Sequence, residues 1–453
     1  MSRRDPRDDL AEFSAMLSRG QSGSNIRPDD PHAVATARRR RKRRRISALV
    51  VTLVVLAAVG TYVPMTLLAP AGAANVSRTA HTITTPAAAA FALPRGTEAA
   101  ASIAGGADFE KLTGSKELLP TSGANNPLPI ASISKLITAL VILDAKPLSK
   151  DQTGPTITFS KDDSKLYDKY YVLGASIAKM DSGSTMSEHD ALAVMLVASA
   201  CNYAEAVSTW AFGSHARFIS ATKAWLSKNG LSGTTMVEST GIDPRNASTP
   251  TDLIAIGKIA LANSVVAAIV ATPSISIAGA GAIYNNNELL GTDGVNGIKT
   301  GTLAEAGACL LFSAIVSVDG LSPLTLIGVV LGGGNHQAIN TDVGILIKSI
   351  TGSFHTVRLT SQGDDYGQYT TAWKSQAGVV TGSTASVLTF SDTKITSTVT
   401  TTAVTEAASD TKVGSVTFTA GKSTVTVPLV LRGAITAPDG WWRLTHPVEL
   451  LGK

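Results

Sequence analysis

Ser132-Ile133-Ser134-Lys135 stands at the head of the apolar stretch Leu136 to Leu143. On a helix, positions i and i+3 share a face, with about 5–6 Å between Cβ atoms. Ser132 and Lys135 are therefore expected as neighbours at the first turn of a buried helix. A serine hydroxyl is a weak nucleophile unless an adjacent base removes its proton. A free lysine, with a pKa near about 10.4, is protonated at neutral pH. Burial and a second cation can lower that value. The positive end of the helix would also favour a developing oxyanion. Taken alone, S-x-x-K reads equally as a helix cap followed by a surface lysine.

Lys299-Thr300-Gly301-Thr302 lies 167 residues after Ser132 and leads into Glu305-Ala306-Gly307-Ala308-Cys309-Leu310. It suits the edge of a sheet lining a cleft. Lys299 and Thr300 offer a cation and a hydroxyl to a carboxylate. Gly301 permits close approach of a ligand to the backbone. The plainer reading is a polar turn between strands. Between these segments, Ser199-Ala200-Cys201-Asn202 ends an apolar helix. Two further serine-bearing or lysine-bearing motifs in this order are far more specific than any one of them.

The elements that must hold these residues are legible as alternating apolar runs and turn signals. Ala191 to Leu196 and Ala204 to Phe212 read as buried helix, and Ala338 to Ile350 as a helix with a 3.6-residue period. Leu310 to Val316 and Leu324 to Leu331 have the length of buried strands. Adjacent strands among helices predict an α+β domain, an antiparallel sheet covered by helices. After Phe354 the composition turns to Thr and Ser with two-residue alternation. Val416, Phe418 and Ala420, the turn at Gly421-Lys422, then Val425 and Val427 predict a hairpin in a small β-sandwich.

The 453-residue chain carries a net charge of +5, concentrated at one end. Residues 1–45 hold 13 Lys/Arg against 6 Asp/Glu, leaving 26 basic and 28 acidic residues for the rest, a net of −2. Eight basic residues, Arg38 to Arg45, abut an uncharged stretch of 23 residues from Ile46 to Leu68. That length crosses about 30 Å of hydrocarbon as a helix, and flanking Lys/Arg stay on the cytoplasmic side. The basic run is thus a topological label, with a role at anionic lipid as an addition; a nucleic-acid arm is not expected. Ala69, Ala71 and Ala73 would allow signal cleavage, but the long basic segment and long apolar run favour an uncleaved anchor. No H-E-x-x-H or comparable metal pair occurs, Glu188-His189 reads as a helix start, and Gly332-Gly333-Gly334 reads as a turn. No metal and no cofactor is expected.

The chain resembles the low-molecular-mass penicillin-binding proteins of the serine D-alanyl-D-alanine carboxypeptidase family. The resemblance is carried by Pro129-Ile130-Ala131-Ser132-Ile133-Ser134-Lys135-Leu136-Ile137-Thr138-Ala139 and by Met195-Leu196-Val197-Ala198-Ser199. It continues in Gly241-Ile242-Asp243-Pro244, in Ser248-Thr249-Pro250-Thr251-Asp252-Leu253, and in Gly294-Val295-Asn296-Gly297-Ile298-Lys299-Thr300-Gly301-Thr302. It implies a β-lactamase/transpeptidase-like antiparallel sheet with a helical subdomain over residues 98–354 and a C-terminal β-rich domain over 355–440. These follow a disordered basic cytoplasmic tail (1–45), a transmembrane helix (46–68) and a linker (69–97), and precede a short tail (441–453). It also implies a bacterial plasma-membrane protein, crossing once, with its N-terminus cytoplasmic and its catalytic domain outside.

By the same resemblance, Ser132, Lys135 and Ser199 are catalytic. Lys299, Thr300, Gly301, Thr302, Cys201 and Asn202 bind substrate. That substrate is a peptidoglycan pentapeptide ending in D-Ala-D-Ala, and β-lactams acylate Ser132 as its mimics. One position departs from the family: Cys201 stands where Asn is usual, and a thiol is a weak donor and acceptor. Asn202 could substitute only if the loop shifts. Cys201 and Cys309 could pair outside the cytoplasm or remain two buried thiols. A transpeptidase on the same fold, and a weak or inactive wall-binding scaffold, are the competing functions.

Overall fold

The computed structural model describes residues 31–451; the part of the expected cytoplasmic tail in residues 1–30, and the last two residues, lie outside the described residues. Helix α1 spans Pro31–Leu68. The basic run from Arg38 to Arg45, expected as disordered, is its first part. Alanine and arginine are good helix formers, and the apolar segment continues the same helix without a break. Ala35–Leu68 is long and apolar enough to cross a membrane, and its apolar residues face outward on every side.

Strand β1, Asn75–Arg78, falls in the stretch read as linker. It instead adds an edge strand to the C-terminal sheet, opposite Gly367 to Thr370. Strand β2, Glu98–Ala104, opens the domain that carries the motifs. A single 3₁₀ turn, Ala131–Ile133, then leads into helix α2, Ser134–Ala145. Ser134 to Leu143 are all buried, so α2 is a central helix, apolar on all sides apart from the groups that carry function. Around it pack α4 (Glu188–Val197), α5 (Cys201–Phe212) and α6 (His215–Lys228), while α3 (Lys161–Val172) packs on α5. Three of these helix starts, and that of the later helix α7, are set by short polar caps. Ser160, Ser187 and Ser214 accept from the third residue of α3, α4 and α6, and Thr249 does so for α7, Pro250–Ala262, with Pro at its first position.

Strands β3 (Val295–Leu303), β4 (Gly307–Val316) and β5 (Leu324–Gly333) follow, and helix α8 (His336–Thr351) covers them. The sheet order is β3-β4-β5-β2, continued by two short strands at Glu117–Leu118 and Thr121–Ser122, all antiparallel. Strands β4 and β5 are buried on both faces, which is why they read as continuous apolar runs. One core lies between the sheet and the helices around α2; a second lies between the sheet and α8.

The strands that follow are β6 (Phe354–Thr360), β7 (Asp365–Thr370), β8 (Gln376–Thr381), β9 (Ala385–Phe390), β10 (Ile395–Thr401), β11 (Lys412–Ala420) and β12 (Ser423–Arg432). A six-stranded antiparallel sheet runs β1-β7-β8-β12-β11-β10, and β6 pairs with β9 as a second layer. Leu359, Tyr369, Val416, Phe418, Leu429 and Leu431 fill the space between. Two short helices, α9 (Gly440–Thr445) and α10 (Pro447–Leu451), close the chain against the end of α1. There Tyr62 donates its hydroxyl proton to the Leu444 carbonyl at 2.6 Å, and Arg443 donates to the Ala69 carbonyl at 2.6 Å.

Candidate active site

The turn Ala131–Ile133 places Ser132 just before α2, and Lys135 lies in the first turn of the helix itself. Lys135 Nζ lies 2.9 Å from Ser132 Oγ and donates to the Thr240 carbonyl at 2.7 Å. Lys135 is fully buried, and Ser132 is partly exposed. The expected neighbourhood of serine and lysine is present, although Ser132 sits in a 3₁₀ turn rather than in the α-helix.

The Thr240 carbonyl is held by a loop that sequence reading left without a role. The Glu238 carboxylate accepts from the N–H groups of Thr240 and Gly241, both at 2.6 Å. Asn246 is fully buried. Its Nδ2 donates to Ser134 Oγ at 3.1 Å and to Glu238 Oε1 at 2.8 Å, and its Oδ1 accepts from Val237 N at 2.7 Å. Gly241 has φ +86, and a Cβ there would lie 1.9 Å from the Ala131 carbonyl oxygen. Only glycine fits both that backbone and that gap. The Gly-Ile-Asp-Pro segment was visible in the sequence, but its contact partner, the residue before Ser132, was not.

Strand β3 brings the third motif to the same place. A Cβ on Gly301 would lie 2.8 Å from the Ile130 carbonyl oxygen and 3.3 Å from Ser132 N. Gly301 therefore makes room for the chain that carries Ser132, a close approach that the sequence did not show. Lys299 is buried, its ammonium donating to the Thr300 carbonyl at 3.1 Å. Burial, reinforced by the Lys135 charge and opposed by Cys201, pushes the Lys299 ammonium down to about 7. Thr302 Oγ1 lies 2.7 Å from Nε2 of His336, the first residue of α8.

The middle motif lies in the turn between α4 and α5. Ser199 is buried and holds φ +56. Cys201 begins α5, its N–H donating to the Ser176 carbonyl at 2.8 Å, and its thiol lies within electrostatic reach of Lys299. Asn202 does not join this group. Its amide is buried, with Oδ1 accepting from Ala178 N at 3.1 Å and Nδ2 donating to Ala178 O at 2.7 Å. The loop shift that would let Asn202 replace the missing asparagine does not occur, because both its polar atoms are already matched elsewhere.

Both cysteines are free. Cys309 pairs in register with Gly301 on the neighbouring strand and points its sulfur at the Pro129 and Ala306 carbonyls. Burial pushes its thiol up to about 11, so it is a packing group. Among the described residues there is no cluster of His, Cys, Asp and Glu able to hold a metal.

A nucleophile beside a buried lysine, with a second lysine on the facing strand, is the arrangement expected of a serine acyltransferase. The model of the D-alanyl-D-alanine carboxypeptidase family matches residues 111–335, which include all three motifs, and this segment of the chain belongs to that family. A D-alanyl-D-alanine endopeptidase of Pseudomonas aeruginosa is 28% identical over 207 residues, covering 44% of this chain and 63% of that protein. The D-alanyl-D-alanine carboxypeptidase DacC of Escherichia coli is 27% identical over 221 residues, covering 48% and 54%. The matched region thus spans less than two thirds of these curated relatives. Among solved structures, a Streptomyces DD-transpeptidase is similar at 26% identity and TM-score 0.46, covering 59% of this chain and 98% of its own. A peptidoglycan synthesis regulatory factor from Streptococcus pneumoniae is similar at 21% identity and TM-score 0.49, covering 74% and 98%.

Proposed function

We propose that this protein is a membrane-anchored serine D-alanyl-D-alanine carboxypeptidase that removes the terminal D-Ala from peptidoglycan stem peptides. The observation that carries the reading is the 2.9 Å contact between Lys135 Nζ and Ser132 Oγ, with Gly301 of the Lys-Thr-Gly strand packed on the backbone of Ser132. Ser132 Oγ attacks the carbonyl carbon of the penultimate D-Ala as Lys135 takes the hydroxyl proton. The oxyanion sits between the N–H groups of Ser132 and Thr302; removal of one such donor typically costs about 10²–10³ in rate. Ser199 relays a proton to the departing D-Ala amine, and the C–N bond breaks to leave an ester on Ser132. Lys299 and Thr300 hold the terminal carboxylate, whose charge draws Lys299 back to its protonated form. Water then cleaves the ester, and β-lactams acylate the same hydroxyl.

In this reading α1 crosses the bacterial plasma membrane once. The basic residues before Ile46 remain in the cytoplasm, and the catalytic domain lies outside. A second reading, a catalytically weak wall-binding protein, draws on Cys201 and on the engaged amide of Asn202, since no carboxamide takes the usual asparagine position. Fluorescent penicillin added to the purified protein separates the two. Label on the wild type that vanishes in Ser132→Ala is expected, and an unlabelled wild type beside a labelled control overturns the enzyme. Release of D-Ala from a model pentapeptide without cross-linked product identifies a carboxypeptidase; cross-linked product identifies a transpeptidase.

A further inference from the structure

Thr302 follows the Lys-Thr-Gly motif, and its hydroxyl is tied to a group far away in sequence. His336 Nε2 lies 2.7 Å from Thr302 Oγ1, across 34 residues of chain. The ring is half-buried at the first position of α8, whose start is capped by the Asn335 side chain accepting from Ala338 N. The charged groups facing it are the Lys299 ammonium on β3 and the Glu288 carboxylate in the loop before β3. Asn340, one turn along α8, donates to Glu288 at 3.3 Å.

A hydroxyl has one proton, and the imidazole decides where it points. When Nε2 carries no hydrogen, it accepts the Thr302 proton, and the hydroxyl turns its lone pairs toward the cleft. When Nε2 carries a hydrogen, it donates to Thr302 Oγ1, and the Thr302 proton is free to meet an anion. The imidazolium always takes the second form. We propose that His336 is a positioning residue that sets the polarity of the Thr302 hydroxyl, so that protonation of His336 favours substrates bearing a carboxylate. The proposal rests on the acyl-enzyme reading of Ser132. Burial is the largest cause holding the His336 ring below its ordinary value, with Lys299 adding to it and Glu288 opposing. At neutral pH the ring is therefore mostly neutral, and binding of a carboxylate is coupled to proton uptake.

The test measures the rate constant for penicillin acylation from pH 5 to 8, for the wild type, His336→Ala and His336→Gln, with a penicillin methyl ester as the carboxylate-free control. In the wild type, acylation by penicillin is expected to fall as pH rises through the histidine range below about 6.5. A separate fall near pH 7, from Lys299, is common to all three proteins. His336→Gln keeps an N–H donor, so it should lose the lower limb and retain the fast rate. His336→Ala should lose the limb and about tenfold in rate, with the ester little affected; tenfold corresponds to about 1.4 kcal/mol. Survival of the lower limb in His336→Ala, or equal losses for acid and ester, overturns the role of His336. A wild type unlabelled at every pH overturns the acyl-enzyme reading instead. In that case the His336 titration by NMR, compared with Thr302→Val, still reports whether the two groups are coupled; an unchanged titration overturns the coupling.

Discussion

Gly301 and Ser132 touch through backbone: a Cβ on Gly301 would come within 3.3 Å of Ser132 N and 2.8 Å of the Ile130 carbonyl oxygen. The Lys-Thr-Gly strand and the turn that carries Ser132 are thus one packed unit. Gly301→Ala must push them apart, because the atoms in the way are main chain. A shift of about 1 Å at reacting atoms costs on the order of 100-fold in rate. Second-order acylation by penicillin should fall by that order with the fold retained, as circular dichroism would report.

Gly241→Ala should be worse. Its Cβ would sit 1.9 Å from the Ala131 carbonyl oxygen, in a backbone at φ +86. The loop 238–246 would have to move, taking with it the Thr240 carbonyl that accepts from Lys135. Loss of more than about 2 kcal/mol is expected from strain alone, read as a lower denaturant midpoint together with lost acylation.

Lys299 couples function to stability with opposite signs. Its folded value near 7 lies below the unfolded value, so between about pH 7 and 10.5 the unfolded chain binds the extra proton. Stability from this group therefore rises as pH climbs through that window, and is least below pH 7. Lys299→Met should raise the melting temperature most at low pH while turnover of the carboxylate substrate is lost. A melting temperature that falls equally at all pH values would contradict this.

Glu188 is fully buried, and both its oxygens lack a hydrogen-bond partner among the described residues. Burial pushes its carboxyl up to about 7, against the opposing charge of Lys146. Here the folded chain holds the extra proton between about pH 4.5 and 7, so stability falls as pH rises through that range. Glu188→Gln should leave stability near pH 4.5 unchanged and raise it above pH 7, in denaturant titrations at both values.

Cys201→Asn restores a carboxamide beside Lys299. One added hydrogen bond to a charged or substrate group contributes about 1–2 kcal/mol, so acylation should rise by roughly tenfold. No gain would mean that the thiol position does not face the reacting atoms.

The spacing of Ser132, Lys135, Ser199 and Lys299 was legible because each motif is local and opens or closes an apolar element. The helix after Ser187, and strands β4 and β5, were legible for the same reason: capping and burial on both faces leave periodic or continuous apolar signatures. The edge strand Asn75–Arg78 was not, because a single Val among three polar residues carries no strand signal until β7 lies beside it. Asn202 was offered as a stand-in for the missing asparagine because sequence shows adjacency and not direction. The start of α5 turns its amide onto Ala178.

The amino-acid sequence by itself determined which residue types were available for acyl transfer, their order along the chain, and the charge asymmetry before Ile46, since these are properties of neighbours in the chain. Only the tertiary structure decided that Gly301 makes room for Ser132, that Thr240 offers its carbonyl to Lys135, and that His336 holds Thr302. Those contacts join residues from 34 to more than 160 positions apart. Their existence depends on sheet register and helix packing, which no local pattern encodes.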